Sequence, residues 1–197
     1  APKGIQNRFR SRSGEPLNIL EEPDHLVVAA SEREVIPYHE GIYTIYAQAR
    51  SVVESWYLQI KVDGLEYVSS AQAVLSGMVG SNLIATNTRV TEPEAAIWFN
   101  LQKSDDKGVP VICTVFGTFG RIDRSTNNLE VTFNIQTTDG KTVVRTFDIS
   151  GLFETENAIR HHWLLLDETI KIDPPQTGGG FDPKVDDWDE EHHDVTI

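Results

Sequence analysis

Apolar and polar residues alternate along most of this chain, and the alternation constrains its fold more than any other feature. Successive side chains of a β-strand point to opposite faces, so a repeat of two predicts strands with one buried face. The segment SWYLQIKVDG is a clear case, with Trp56, Leu58, Ile60 and Val62 on one set of alternate positions. The segment GIYTIYAQAR at 41–50 has the same repeat, so it too is predicted to be a strand.

Runs of this kind recur along the chain and are bounded by Gly, Asp, Asn or Pro, which favour turns. They predict about eight or nine strands. The strongest local prediction is a hairpin with Asp139-Gly140 in its turn, in which Val131, Phe133 and Ile135 fill one face. The other predicted strands are HLVVAA at 25–30 and the runs within 65–78, 95–102, 109–120 and 161–173.

Helix signals are sparse, with a short helix predicted at Glu154–Arg160 and at most one turn within 76–87. Strands do not alternate with helices in the way that a parallel sheet requires. The prediction is therefore a mostly-β fold, an antiparallel β-sandwich with one or two short helices. A barrel is less favoured, because the strands differ in length and the connection at 76–92 is long.

The charge of the chain excludes some classes of partner. A formal net charge of −13 argues against binding to nucleic acid or to an anionic membrane, since both need clustered Lys and Arg. No segment approaches the run of about 20 apolar residues that a membrane helix needs. The single cysteine, Cys113, excludes an internal disulfide. It lies in a predicted buried strand with no His near it in sequence, which favours a packing role over a nucleophilic one.

The sequence contains none of the usual catalytic signatures: no phosphate-binding Gly loop, no GxSxG, no HExxH and no Cys pair. We therefore predict neither catalytic nor cofactor-binding residues. The motif GTFGR at 117–121 is interpreted as a turn or bulge at a strand end. The aromatic residues fall on predicted strands, where packing in the core is their expected role.

Histidine pairs and acidic clusters do not have the spacing of a metal site. His161-His162 is predicted to open a strand, where adjacent side chains point to opposite faces. His192-His193 lies among carboxylates, but nothing nearby would orient the ligands. The acidic run at 182–190 lacks the internal Gly and alternate ligands of a calcium loop. No metal site is predicted.

The two ends of the chain are interpreted as exposed segments. Residues 1–16 are polar and carry Arg8, Arg10 and Arg12, a predicted site for cleavage by trypsin-like proteases. At the other end, Asp173-Pro-Pro stops the last strand, because Pro cannot donate to a ladder. The acidic segment 174–197 then carries sparse apolar residues, unlike a purely solvated tail. We interpret it as an extended docking segment whose candidate contact residues are Phe181, Trp188, Val195 and Ile197.

The chain resembles one family, the fimbrillin-like lipoproteins of Bacteroidales, which include fimbrial anchors and minor pilins. The resemblance spans residues 24–197 and is carried by VIPYHEGIYTIYAQARSVVESWYLQIKVDGLEYVSSAQAVLSGM, then VFGTFGR, the hairpin ending in TFDIS, and IDPPQTGGGFDPKVDDW. Its most specific pieces are SSAQAVLSGM and GGGFDPKVDDW. None of these segments is a catalytic motif. The resemblance therefore depends on their sequence pattern and on their order along the chain.

The resemblance implies a precursor of two transthyretin-like β-sandwich domains, held at the outer membrane by a lipid. Residues 1–36 would then be an arm and the remnant of the N-terminal domain, and residues 37–197 the C-terminal domain. The lipid anchor would lie outside this chain, which has no acceptor Cys for it. The implied location is the cell surface of the bacterial envelope.

Two functions follow from these predictions. The first is a non-enzymatic structural or adhesion subunit that pairs, through edge strands, with other fimbrial or envelope subunits and contacts a host glycan or protein. The alternative is a β-sandwich of the envelope that binds a carbohydrate or another ligand. It would need exposed aromatic side chains beside Asp, Asn or Gln at one end of the sandwich.

Overall fold

A computed structural model describes residues 18–29, 35, 38, 40–122 and 129–175 of the chain. The predicted proteolysis region at Arg8, Arg10 and Arg12 lies outside the described residues. The four predicted docking residues, Phe181, Trp188, Val195 and Ile197, also lie outside them, as does the pair His192-His193.

The fold is mostly β, as predicted, with one short α-helix, α1 (Glu156–His161), and 3₁₀ turns at Leu65–Tyr67 and Leu152–Glu154. None of the described helices is long and apolar enough to cross a membrane. The strands are β1 (Asn18–Glu21), β2 (Val27–Val28), β3 (Arg50–Ser51), β4 (Glu54–Asp63), β5 (Val68–Met78), β6 (Ser81–Leu83), β7 (Thr88–Val90), β8 (Ala95–Asp106), β9 (Val109–Thr118), β10 (Glu130–Thr137), β11 (Thr142–Asp148) and β12 (Trp163–Lys171).

The longest strand, β8, belongs to two layers of a curled sheet. Its first half pairs with β5 on one side and with β1 on the other, in a layer that continues through β10 to β11. Its second half pairs with β9, in a layer that continues through β4 to β12. Pairing is antiparallel except for β1 on β8 and β12 on β4, which are parallel. Two small two-stranded ladders, β2–β3 and β6–β7, lie beside this sheet.

The core lies between the two layers and is built from the alternate residues that the sequence predicted. Leu58, Ile60 and Val62 of β4 are buried, as are Val131, Phe133 and Ile135 of β10, so both predicted faces are confirmed. Phe99 of β8 and Phe116 of β9 stack across the core with their centroids 4.4 Å apart and their planes at 9°. The sandwich is therefore closed by apolar packing of side chains from both layers.

The predicted hairpin is formed by β10 and β11, which pair from Gln136 with Thr142 to Glu130 with Asp148 without a shift in register. Gly140 adopts a φ of 81°, the left-handed conformation that this turn requires. The Asp139 carboxylate accepts hydrogen bonds from the Thr137 hydroxyl and from Lys141 Nζ, the latter at 2.7 Å. Hydrogen bonding to Lys141 and then to Thr137 lowers the pKa of Asp139 from 3.8 to about 2.

This pKa leads to a test of the turn by pH. Because the folded state lowers the pKa of Asp139, the ionised carboxylate stabilises the fold above about pH 4, and the stabilisation is lost as the pH falls towards 2. We expect the wild type to unfold at a higher temperature than Asp139→Asn at pH 7, and the difference to shrink between pH 4 and pH 2. Thermal unfolding monitored by circular dichroism measures it. If the difference in unfolding temperature stayed constant between pH 7 and pH 2, the lowered pKa of Asp139 would be contradicted.

Three local predictions are wrong. Residues 41–49 form no strand, and the ladder bonds begin only at Arg50. Of the described residues of HLVVAA, 25–29, only Val27 and Val28 are in a strand, and Val27 is 53% exposed rather than buried. His161 and His162 do not open β12. His161 ends α1 and His162 caps it with a φ of 58°, because the helix there needs a left-handed residue to stop.

Other local predictions are confirmed. The short helix predicted at Glu154–Arg160 is α1, whose first turn is capped by the Thr155 hydroxyl, an acceptor for the Ala158 N–H. The GTFGR motif contains the end of β9 and a turn at Gly120, whose φ is 110°. Cys113 lies on β9, as predicted, but it is only half-buried.

Residues 18–22, which precede the predicted domain boundary, contact the sheet directly. β1 pairs with Ala95–Trp98 of β8, and Ile19 is buried against Val74 and Ala96. The Glu22 carboxylate accepts a hydrogen bond of 2.9 Å from the Gly117 N–H of β9. Residues 18–22 therefore pack on the same sandwich as β8 and β9. The domain boundary between residues 36 and 37 stays a prediction.

Candidate functional site

Two features of the described residues are candidates for function: the free edges of the sheet and a polar cavity beside β4. At the edges, β1, β11 and β12 each pair with a neighbour on one side only in the described part of the chain. An unpaired edge presents backbone N–H and C=O groups that another strand can bond. The three edges differ in how easily a strand could join them.

Two of the edges are poor places for a strand to add. β1 has only four residues. β12 changes register between Leu166 and Thr169, and exposes the carboxylates of Asp167 and Glu168 at that irregularity. Short strands, bulges and edge charges are the usual ways in which proteins protect an edge from pairing.

The third edge, β11, is seven residues long and regular. Two hydrogen bonds at its ends show which residues of β11 bond to β10: Thr137 N–H to the Lys141 carbonyl, and Ile149 N–H to the Leu129 carbonyl. Bonded pairs alternate in an antiparallel ladder, so the amides of Val143, Arg145 and Phe147 bond to β10. The amides of Val144 and Thr146 therefore point away from the sheet.

One side chain partly occupies this edge. Arg145 Nη1 donates a 2.9 Å hydrogen bond to the outward carbonyl of Val144. The Val144 side chain itself is 43% exposed, so the strand offers both backbone and apolar contacts. We call Thr142–Asp148 the β11 edge from here on.

A second exposed apolar feature lies at residues 42–46, inside the segment that was predicted to be a strand. Ile42 and Tyr46 are each 93% exposed, and Ile45 is 50% exposed. β-branched and aromatic residues in alternation favour a strand, yet this segment has no ladder partner among the described residues. Within the described part of the chain, this segment therefore has the sequence pattern of a strand but pairs with no sheet.

The cavity has a volume of about 350 Å³ and lies at one end of β4. Residues far apart in sequence meet there, from β4, β5, β7, the turn after β9, a 3₁₀ turn and the cap of α1. They are Glu54, Trp56, Met78, Arg89, Arg121, Phe153 and His162.

The aromatic part of the cavity is a contiguous cluster. The Trp56 indole stacks on the His162 ring, with centroids 4.5 Å apart and planes at 15°. Phe153 packs edge-on against Trp56 at 4.9 Å. The Arg121 guanidinium lies over the Phe153 ring, 5.1 Å from its centroid, a cation–π contact.

The charged part of the cavity pairs two arginines with two glutamates. The Glu54 carboxylate accepts a hydrogen bond of 3.2 Å from the Trp56 indole N–H and pairs with Arg89. Arg121 Nη2 donates to Glu154 Oε1 at 3.0 Å. Arg121 Nη1, in contrast, is buried and has no hydrogen-bond partner among the residues that the structure describes.

The backbone holds His162 and Arg89 in place. His162 Nδ1 lies 3.2 Å from the Ser55 carbonyl oxygen. The ring must donate there, so Nε2 is the acceptor of the neutral ring. The Arg89 guanidinium covers Gly120, where an added Cβ would lie 2.6 Å from Arg89 Cζ. Gly120 thus allows Arg89 to reach the cavity.

The sequence pattern did not predict this site. From their immediate neighbours, Trp56 was predicted to pack in the core, Arg121 to lie in a turn and His162 to lie in a strand. None of the predicted docking residues can be placed in it, because all four lie outside the described residues. Among the described residues, no group of three or more His, Cys, Asp or Glu side chains is arranged to hold a metal ion.

Comparison with known proteins shows one relationship, at the level of the fold. No protein-family model matches the sequence, and no curated protein matches it significantly. The structure is similar to the crystal structure of a Bacteroides ovatus protein provisionally described as an adhesin, with a TM-score of 0.61 and 19% sequence identity. The match covers 81% of this chain but 61% of that protein, so this chain spans about three fifths of its length. The similarity is one of fold.

Proposed function

We propose that the chain is a non-enzymatic cell-surface subunit of adhesin type that assembles with other subunits by strand addition at the β11 edge. The single observation that carries the proposal is the edge itself. It is long, regular in register and presents outward amides that include those of Val144 and Thr146, whereas β1 and β12 are short or irregular. A strand laid along it gains backbone hydrogen bonds, and alternate side chains set its register.

The fold similarity to a Bacteroides ovatus protein provisionally described as an adhesin supports the adhesin-type part of the proposal. The resemblance to fimbrillin-like lipoproteins supports the location, at the bacterial outer membrane, and the kind of partner, other fimbrial or envelope subunits. On this proposal a lipid outside residues 1–197 anchors the protein.

The strand donor in the proposal is the C-terminal segment of a neighbouring subunit. Val195 and Ile197 alternate around Thr196, so both side chains face one side of an added strand. Phe181 and Trp188 supply further apolar contacts. The β11 edge carries no net charge, since Arg145 is balanced by Asp148, so backbone and apolar contacts rather than charge would hold the acidic segment. A tail that binds a neighbour's edge forms a head-to-tail contact, which leads to chains rather than closed dimers.

The donor is tested by a pair of substitutions in the full chain. We expect Val195→Asp with Ile197→Asp to weaken self-association by about tenfold or more, because both docking side chains become charged. Sedimentation velocity over a range of concentrations measures the association. The matched control is Thr196→Asp, which adds one charge on the opposite face and should change association far less.

Deletion of residues 190–197 should have the same effect as the double substitution and leave the unfolding temperature unchanged. Equal association of the double variant and the wild type would contradict the role of the tail. So would a wild-type chain that remains monomeric at every concentration.

A further inference from the structure

The outer face of the layer formed by β9, β4 and β12 carries side chains that the proposed assembly does not use. The ladders place Val115, Tyr57 and Trp163 in one row across the three strands, and Gln59 follows Tyr57 on the same side of β4. Val115 is 63% exposed and Trp163 is 44% exposed. We propose that these four residues, which we call the Trp163 face, bind a neutral oligosaccharide.

Aromatic rings meet at the β12 end of the Trp163 face. The Trp163 indole packs edge-to-face with the Tyr57 ring, with centroids 6.3 Å apart and planes at 65°. The His161 ring lies 4.9 Å from the indole, tilted by 33°. These two neighbours hold the indole in place while part of its surface stays exposed. A fixed aromatic surface suits the apolar C–H face of a sugar ring, because little conformational entropy is lost when the sugar stacks on it.

A chain of hydrogen bonds orders the polar part of this face. The Tyr57 hydroxyl donates to Gln59 Oε1 at 2.7 Å, and Gln59 Nε2 donates to Asp106 Oδ2 at 3.3 Å. Burial, followed by a hydrogen bond with Cys113, raises the pKa of Tyr57 to about 12. The hydroxyl therefore stays protonated near neutral pH and orients the Gln59 amide towards Asp106.

Other polar groups beside the Trp163 face are free to bond a ligand. In the described part of the chain, the Trp163 indole N–H, the His161 ring nitrogens and Asp106 Oδ1 have no hydrogen-bond partner. All three residues are exposed, so a ligand can reach them. Together they offer the donors and acceptors that sugar hydroxyls need. An exposed aromatic ring beside Asp and Gln is also the combination that the alternative function, carbohydrate binding, was predicted to need.

The dimensions of the face favour a sugar chain over a protein partner. From β9 to β12 it crosses two strand spacings, about 10 Å, which is longer than one sugar ring. An aromatic side chain has about 150–250 Å² of surface to bury, so Trp163 at 44% exposure offers roughly 100 Å². A stable protein interface needs about 800 Å² from each partner. A stacked oligosaccharide needs far less apolar surface.

The charges near the face favour a neutral ligand. Lys61 extends from the same side of β4 as Gln59, and Asp106 bonds to Gln59 from the end of β8. Because the two charges are opposite, either sign of ligand would be repelled by one of them. The net charge of −13 further disfavours an acidic sugar.

Titration of the chain 1–197 with cellotriose, maltotriose and xylotriose tests the proposal. Isothermal calorimetry measures the affinity, and the indole N–H signal of Trp163 in nuclear magnetic resonance spectra reports the location. We expect at least one of the three neutral sugars to bind with a Kd below about 1 mM. It should shift the Trp163 signal more than the signals of Trp56 and Trp98.

Variants separate the Trp163 face from the rest of the surface. Trp163→Ala removes the stacking ring and should weaken binding by about tenfold or more, whereas Trp163→Tyr keeps an aromatic face and should retain most of the affinity. The matched control is Tyr46→Ala, which removes an aromatic ring that is 93% exposed elsewhere and should bind like the wild type. Circular dichroism confirms that each variant is folded.

Four results would overturn the proposal. The first is no binding of any of the three trisaccharides at millimolar concentration. The second is binding that leaves the Trp163 signal unchanged, and the third is a folded Trp163→Ala variant that binds as tightly as the wild type. The fourth is a Trp163 signal that shifts on self-association but not with sugar, which would assign the face to a second copy of the chain. Sugar binding does not require assembly at the β11 edge, so the two proposals can fail separately.

Discussion

Replacing Gly64 by alanine is expected to destabilise the fold by about 3 kcal/mol or more, the largest effect we predict for a single methyl group. Gly64 lies between β4 and the 3₁₀ turn at Leu65–Tyr67, with a φ of 85°. A Cβ there would lie 2.2 Å from the Ile172 carbonyl oxygen, which belongs to backbone and cannot rotate away. Relief of the clash would disturb the bond from Ile172 N–H to the Asp63 carbonyl, where the chain after β12 meets β4.

Gly140 provides a matched control. Its φ of 81° is nearly the same as that of Gly64, but an added Cβ would meet no atom within 4 Å. Gly140→Ala should therefore lower the free energy of unfolding by only about 1 kcal/mol, the cost of placing alanine in the left-handed conformation. Urea unfolding of both variants measures the difference in the free energy of unfolding. Similar losses for the two variants would show that the contact with Ile172 does not constrain the fold.

Replacing Val144 by proline is expected to reduce assembly by at least about tenfold and to leave the fold intact. The Val144 N–H points away from β10, so proline removes a donor from the free edge and none from the ladder. Its side chain is 43% exposed, so little buried apolar surface is lost. Sedimentation velocity measures the loss of association, and thermal unfolding measures the retained fold.

Two variants control this experiment. Val144→Thr keeps the outward N–H and should assemble like the wild type. Val143→Pro removes the N–H that bonds to β10 and changes a side chain packed on the core, so it should lower the unfolding temperature. If Val144→Pro and Val144→Thr assemble equally, the β11 edge is not where the subunits pair.

The parts of the fold that the sequence predicted are those in which local pattern and burial agree. β4 and β10 each alternate, and their central apolar residues are buried in the core: Leu58, Ile60 and Val62 of β4, and Val131, Phe133 and Ile135 of β10. The Asp139-Gly140 turn could be predicted because only certain residues fit a left-handed turn position. These features could be predicted because they depend only on residues that are close together in the sequence.

The parts that the sequence did not predict depend on partners far along the chain. Residues 41–49 have as clear an alternation as β4, yet they join no sheet in the described structure, because strand propensity becomes a strand only beside a partner. The cavity shows the same limit. Glu54, Arg89, Arg121 and His162 meet only through the pairing of β4 with β9 and the placing of β7 and α1. A single sequence contains no signal for that meeting.

The most direct test of strand addition is hydrogen exchange at single amides of the β11 edge. Exchange is compared between the monomeric and the assembled protein. Assembly should slow exchange at Val144 and Thr146, whose amides point outward in the monomer. The amides of Val143 and Arg145, already bonded to β10, should change far less. Unchanged exchange at Val144 and Thr146 in the assembled protein, with new protection elsewhere, would contradict the account.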